Sequence, residues 1–182
     1  MPDVPANESE IYNGMTLDEL TTNAKALQQG MQDGRLVRDV LMRHGEHIVE
    51  QQRIQLFMGK GSDGRDLHPF YSEDLKPQGY FKNSQSAAAY RAWKQTISYP
   101  YQVQRNPDAP NLYITGVFHD DLNVDFGGDA LAIVPDTAYA ANIMAKYGFG
   151  IFGLNSEMWG VIWNDWGAKN DLIDEMKNVL WQ

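Results

Sequence analysis

The side chains best equipped for chemistry are two histidines. His44 and His47 stand three residues apart with Glu46 between them, a spacing that places two imidazoles on one face of a helix. A zinc hydrolase of the H-E-x-x-H kind needs its histidines a full turn apart around a glutamate base, and that order is absent here. His44 also falls on an apolar stripe, so a packed or solvated pair is expected. The alternative is a small metal-dependent hydrolase using His44, His47 and nearby carboxylates. Asp63, Asp66, Glu73 and Asp74 form an acidic cluster, but calcium loops need carboxylates at set alternating positions and a late bidentate glutamate. A solvated turn is the simpler reading. Gly148-Phe149-Gly150-Ile151-Phe152-Gly153 matches G-x-G-x-x-G letter for letter. A dinucleotide site needs that turn between a strand and a helix; here the preceding segment reads as helix, and two phenylalanines crowd the approach. The glycines therefore read as a structural loop. No Ser-His-Asp spacing stands out, and the chain is expected to be non-enzymatic, with no catalytic residue, cofactor or metal assigned.

Bulk properties narrow the classes. The 182 residues are 43% hydrophobic, enough for a domain that buries roughly 70% of its unfolded surface. The absence of cysteine removes disulfides and thiolate metal sites. The net charge of −9 disfavours coating of nucleic acid, which requires clustered Lys and Arg. Apolar runs such as Ala130 to Val134 fall far below the ~18 residues of a membrane span. The first residues lack the basic and apolar regions of a signal peptide, so synthesis in a cytoplasm is expected.

These groups must be held by elements that the patterning predicts. Residues 1–14 read as a flexible arm. Thr16-Leu17-Asp18-Glu19 is a capping box opening a helix to about Gln29, with Leu17, Leu20, Ala24 and Leu27 on one face. A second helix is expected from Arg35 to Met58, since Leu36, Val37, Val40, Leu41, His44, Ile48 and Val49 make one stripe and Gly45 need not break it. A third should span Gln85 to Ile97, capped near Asn83 or Ser84, burying Ala89, Tyr90, Trp93 and Ile97. Leu122 to Phe126 alternates with period two, Ala130 to Val134 is apolar, and Gly127-Gly128 between them suits a tight hairpin turn. A short helix follows from Tyr139 to Tyr147. Trp159, Trp163 and Trp166 recur at four- and three-residue spacing on the last helical segment, and Trp181 nearly closes the chain. Packing on the molecule's own core and anchoring a subunit interface are both open to them.

The order of motifs carries a resemblance. A helix pair precedes Ser62-Asp63-Gly64-Arg65-Asp66 and Pro69-Phe70-Tyr71-Ser72. Then come Asn111-Leu112-Tyr113-Ile114-Thr115-Gly116-Val117-Phe118, the hairpin, and Tyr139-Ala140 running into Lys146-Tyr147-Gly148. This series resembles the phage virion-morphogenesis and tail-completion family, whose members join head to tail in a neck ring. Leu112, Thr115, Gly116 and Phe118 match its Thr-Gly block, with Phe replacing the usual Leu; Tyr139, Ala140 and Gly148 match its closing segment. The likeness covers about half the chain. A helical insertion at about 83–98, the Trp-rich extension at 155–182 and a missing Ser after the Thr-Gly block depart from it.

The expected fold is α+β: N-terminal helices packed on a small antiparallel sheet with a long β-hairpin, and a helical C-terminal extension beyond a domain at 15–154. The resemblance implies a structural virion protein of the neck, a closed homo-oligomeric ring of six or twelve copies between portal or adaptor and tail. DNA would pass through it without sequence-specific binding, and no membrane is involved. A tail terminator or a capsid accessory protein is the alternative within that class. Thr115 is expected to cap a one-turn helix, with Phe118 and Leu122 anchoring it and Gly116 allowing close approach. The hairpin tip from Phe126 through Gly127 and Gly128 to Asp129, with Trp159, Trp163, Trp166 and Trp181, is assigned to partners.

Overall fold

The computed structural model describes residues 14–127, 130–138 and 140–181, which fall into two compact units. One takes the described residues up to Arg43 and from Gly167 onward; the other is His44–Trp166. The expected arm lies, apart from Gly14, outside the described residues, as do Gly128, Asp129 and Tyr139. Among the described residues there are eight α-helices and one two-stranded antiparallel sheet, so the fold is α+β. No helix among them is long and apolar enough to cross a membrane.

The smaller unit is helical. Helix α1 (Leu17–Gln32) opens on the capping box: the Thr16 hydroxyl accepts the Glu19 N–H at 3.3 Å, and the Glu19 carboxylate accepts the Thr16 N–H at 2.8 Å. That bonding to the Thr16 backbone and hydroxyl holds the Glu19 carboxyl below its usual range. The helix continues through Gly30, where expectation ended it, because Gly30 is buried where Leu36 crosses. A methyl there would sit 3.0 Å from Leu36 Cγ. The inward face is Leu20, Asn23, Leu27 and Gly30, not Leu17 and Ala24, which are exposed. Helix α2 (Arg35–Arg43) buries Leu36 and Val40. The last helix, α8 (Ala168–Leu180), packs on both α1 and α2. Asn23 donates to the Leu180 carbonyl at 3.3 Å, and Arg43 pairs with Glu175 at 3.1 Å. The chain end is thus part of a three-helix unit, and the compact division falls at 166/167 rather than at 154/155.

The expected long helix from Arg35 to Met58 is two helices. It breaks at His44 (φ −97°, ψ 15°), and α3 (Gly45–Phe57) starts afresh. The glycine weakens helix propagation by ~1 kcal/mol, and the halves serve different cores. In the larger unit α3 is buried nearly all round, with Ile48, Val49, Leu56 and Phe57 beside Gln51, Gln52 and Gln55. It packs against β1 (Leu122–Asp125), which pairs antiparallel with β2 (Ala132–Pro135) in the register Asp125 to Ala132 and Leu122 to Pro135. The strands end at Asp125 and resume at Ala132, and the expected Gly127-Gly128 turn lies in part outside the described residues.

Helix α4 (Ser84–Thr96) is capped by Asn83, whose side chain accepts the Ser86 N–H at 2.9 Å. Its inward face is Ala87, Tyr90, Arg91 and Lys94, while Trp93 is exposed. Of the expected Ala89, Tyr90, Trp93 and Ile97, Tyr90 and Ile97 are half-buried while Ala89 and Trp93 are exposed, because Ala87 and Tyr90 pack with Tyr71 and Phe81 of the preceding loop. That loop doubles back tightly: Phe81 N–H donates to the Asp74 carbonyl at 2.8 Å, and Lys76 N–H to the Phe81 carbonyl at 2.7 Å. After α5 (Val117–Asp120) and the sheet come α6 (Ala140–Tyr147), a 3-10 turn at Phe149–Ile151, α7 (Ser156–Gly160) and a π-helical turn at Val161–Asp165.

Gly79 sets the loop's tightness, since a Cβ there would lie 2.1 Å from the Asp74 carbonyl carbon. Gly79→Ala should cost about 1–3 kcal/mol in urea unfolding, whereas Gly150→Ala, whose Cβ meets nothing within 4 Å, should leave the midpoint in place.

Candidate functional site

Two glutamines organise the interior around α3. The Gln52 amide donates to the Ile151 carbonyl at 3.0 Å and accepts the Gly153 N–H at 2.9 Å. One helical turn on, Gln55 donates to the Gly153 carbonyl at 2.9 Å and accepts the Asn155 N–H at 2.7 Å. Both side chains are fully buried. They pair with residues 151, 153 and 155 as a neighbouring strand would, satisfying backbone groups that the irregular chain cannot satisfy itself. Ser62 N–H adds a bond to the Gly150 carbonyl at 2.8 Å. The G-x-G-x-x-G segment is therefore a loop fastened to α3, entered through a left-handed Gly148 (φ 77°) and left through Gly153 (φ 97°). It follows helix α6 and holds a 3-10 turn at Phe149–Ile151 before α7, whereas a dinucleotide fingerprint begins at the end of a strand.

A cleft of about 530 Å³ opens beside this core. Leu112, Thr115, Gly116 and Phe118 line it, and so do Tyr71 and Tyr147. The Thr-Gly block and part of the closing segment, 30 residues apart in sequence, thus meet around one space. Leu112 and Gly116 shape it, both left-handed (φ 53° and 94°). Gly116 is the N-cap of α5, which receives no side-chain cap. Thr115 is therefore not the cap: the turn into α5 needs a positive φ at the capping position, which a β-branched residue avoids. Phe118 and Leu122 are buried as expected, at 3% and 1% exposure. A Cβ on Gly116 would lie 3.3 Å from Asp120 and 3.4 Å from the Tyr113 ring, so close approach holds there as well.

The cleft wall includes Lys94, 1% exposed, whose ammonium donates to the Tyr113 carbonyl. Burial pushes this lysine down to about 8. Tyr71, Tyr90 and Tyr147 also line the cleft, and burial raises all three phenols, Tyr71 and Tyr147 well above their ordinary value. Behind it, His119 is 2% exposed and its Nε2 lies 3.0 Å from the Asn111 carbonyl. A carbonyl only accepts, so Nε2 carries the proton and Nδ1 is bare; Nδ1 is buried without a hydrogen-bond partner. Burial pushes His119 down to about 4. Phe57 at the end of α3 meets Tyr99, Tyr101 and Tyr113 edge-on at 4.5 to 5.6 Å, fixing the segment that leads to the cleft.

The remaining candidates are dispersed. His44 and His47 place their Nδ1 atoms 3.1 Å apart, and the His47 ring meets Trp166 edge-on at 3.6 Å. Burial and the neighbouring His44 lower His47. Among the described residues no group of three or more His, Asp or Glu is placed to hold a metal. The acidic cluster does not converge. Asp63 accepts the Arg65 N–H at 2.9 Å, Asp66 pairs with Lys60 at 2.6 Å, Glu73 accepts the Phe70 N–H at 3.1 Å, and Asp74 pairs with Lys146. Trp159, Trp163 and Trp166 are half-buried, and the π turn between them, closed by Trp166 N–H on the Val161 carbonyl at 3.0 Å, breaks the regular helical phase. Trp181, in the other unit, is 44% exposed. Phe126 lies against Gly45 and is half-buried, while Gly127 is exposed. Lys94, His119, Gln52 and Gln55 were missed by sequence reasoning; three glutamines at 51, 52 and 55 inside an apolar stretch were the available hint.

No protein-family model, curated protein or solved structure matches this chain.

Two predictions follow from the buried polar groups. Gln52→Leu orphans the Ile151 carbonyl and the Gly153 N–H, and should lower stability by about 2–4 kcal/mol, with the Gly153 amide losing its hydrogen-exchange protection. His119 has a folded value below its unfolded value of 6.5, so the unfolded chain binds more protons between those two values. Stability should be full above pH 6.5 and fall as the pH drops toward 4, by up to about 3 kcal/mol. His119→Gln should flatten that slope in urea titrations across the same range.

Proposed function

We propose that this chain is a structural component of a phage particle, a neck or tail-completion protein that acts through contacts with its neighbours. The observation carrying the reading is the order of motifs from Ser62 to Gly148, joined to their convergence: Leu112, Thr115, Gly116, Phe118 and Tyr147 surround one cleft. The α+β fold with its hairpin agrees with what the resemblance implies. Large apolar side chains stand exposed on the same unit, Phe149 at 79%, Tyr80 at 71%, Ile114 at 52% and Val117 at 46%. Aromatic and aliphatic groups of this kind anchor subunit interfaces once desolvated.

In this reading copies of the chain close into a ring of six or twelve by head-to-tail contacts, between portal or adaptor and tail. DNA passes through, and the net negative charge suits a lumen that does not hold it. Light scattering of the purified chain should give a closed oligomer, and Phe149→Asp with Tyr80→Asp, both exposed and outside the cleft, should reduce it to monomers without shifting the unfolding midpoint. Immunogold electron microscopy should place the protein at the head–tail junction. A chain absent from virions and monomeric at all concentrations would overturn the proposal.

A second reading, a small metal-dependent hydrolase using His44 and His47, is favoured by the 3.1 Å approach of their Nδ1 atoms. Zinc retained through purification and lost in His44→Ala would carry it instead.

A further inference from the structure

We propose that the cleft beneath Thr115 and Gly116 is a binding site for a small organic carboxylate with an apolar body, its carboxylate pairing with Lys94. Lys94 is a charge without a counter-charge. Lys94 is 1% exposed, and among the described residues no carboxylate pairs with its ammonium. Its hydrogen bond goes to a neutral acceptor, the Tyr113 carbonyl. An ammonium has three donors, so capacity remains for a further acceptor. Buried charges are ordinarily paired, because desolvation without a partner is costly. The downward pull of burial on this lysine reflects the same deficit.

The ammonium is held at the segment that walls the cleft. Tyr113, whose carbonyl it bonds, is flanked in sequence by Leu112 and Ile114, and both line the cleft. Lys94 itself lines it. The other walls are aliphatic and aromatic, with Phe118 and Ile143 among them. About 530 Å³ lies within the range of small-molecule sites, which are mostly apolar with a few placed polar groups. The phenols of Tyr71, Tyr90 and Tyr147, raised further by burial, add no negative charge to the wall. One cation, neutral phenols and an apolar wall select an anionic head on an apolar body. A cationic or strongly polar ligand finds no complement there.

The test compares 1-naphthylacetate with its neutral amide on the full chain, by amide chemical-shift titration. The carboxylate should bind about tenfold or more tightly than the amide, since a hydrogen bond to a charged group is stronger than its neutral counterpart. Shifts should concentrate at Thr115, Gly116, Val117 and Tyr147. Lys94→Met should abolish the preference, and Ile143→Trp, which fills the cleft and leaves the lysine, should weaken both ligands. Equal affinity of carboxylate and amide for the native chain, or shifts centred away from the cleft, would sink the idea; this comparison needs no variant, so a folding defect in Lys94→Met leaves it decisive.

Discussion

Among the described residues the backbone from Ile151 to Asn155 has no strand beside it, yet it runs through the interior of the larger unit. Its carbonyls and amides must be satisfied there, since an unpaired buried peptide group costs about as much as a lost hydrogen bond. Gln52 and Gln55 supply that satisfaction from α3, each amide serving one donor and one acceptor of the loop. A glutamine side chain carries the same N–H and C=O pair as a peptide, so two of them one helical turn apart reproduce two rungs of a β ladder. The constraint propagates outward. With 151–155 fastened, Ser62 bonds to Gly150, Asn155 caps α7 by accepting from Glu157 and Met158, and the G-x-G-x-x-G stretch has one path between α6 and α7.

The same helix holds the other side of the unit. Phe57 gathers three tyrosine rings from the 99–113 segment, and Arg53 donates to the carbonyls of His119 at 2.8 Å and Asp120 at 3.2 Å, tying down the end of α5. A helix that is buried nearly all round shows little one-sided patterning, and α3 uses its polar residues as internal connectors instead of as a solvated face. The cleft at Leu112–Phe118 inherits its rigidity from these contacts. It also inherits its electrostatics, because a lysine and a histidine have been taken out of water beside it.

Local chemistry was legible wherever a motif is satisfied by its own neighbours. Thr16 with Glu19 and Asn83 with Ser86 close capping boxes within four residues, and the Gly116 turn is set by a left-handed backbone that glycine adopts freely. The alternation of Leu122 to Asp125 and the apolar run near Ile133 identify the hairpin strands. What was misread concerns direction. Helix α4 offers Tyr90, Trp93 and Lys94 almost equally by type, and the aromatic cluster of Tyr71 and Phe81 selects Tyr90 and Lys94 for the interior and turns Trp93 to solvent. Hydrophobicity alone would have buried the tryptophan.

By itself, then, the sequence determined the capped helix starts, the two strands and hence the α+β class, because each rests on interactions between residues a few positions apart. Tertiary structure alone decided that the stripe from Leu36 to Val49 is split between two cores, that the chain end joins the first two helices, and that glutamines 52 and 55 face a loop a hundred residues away. It also decided that Lys94 and His119 are taken into the interior. Those outcomes depend on which surfaces meet after collapse, and burial changes a side chain's charge and partners in ways its letter cannot carry.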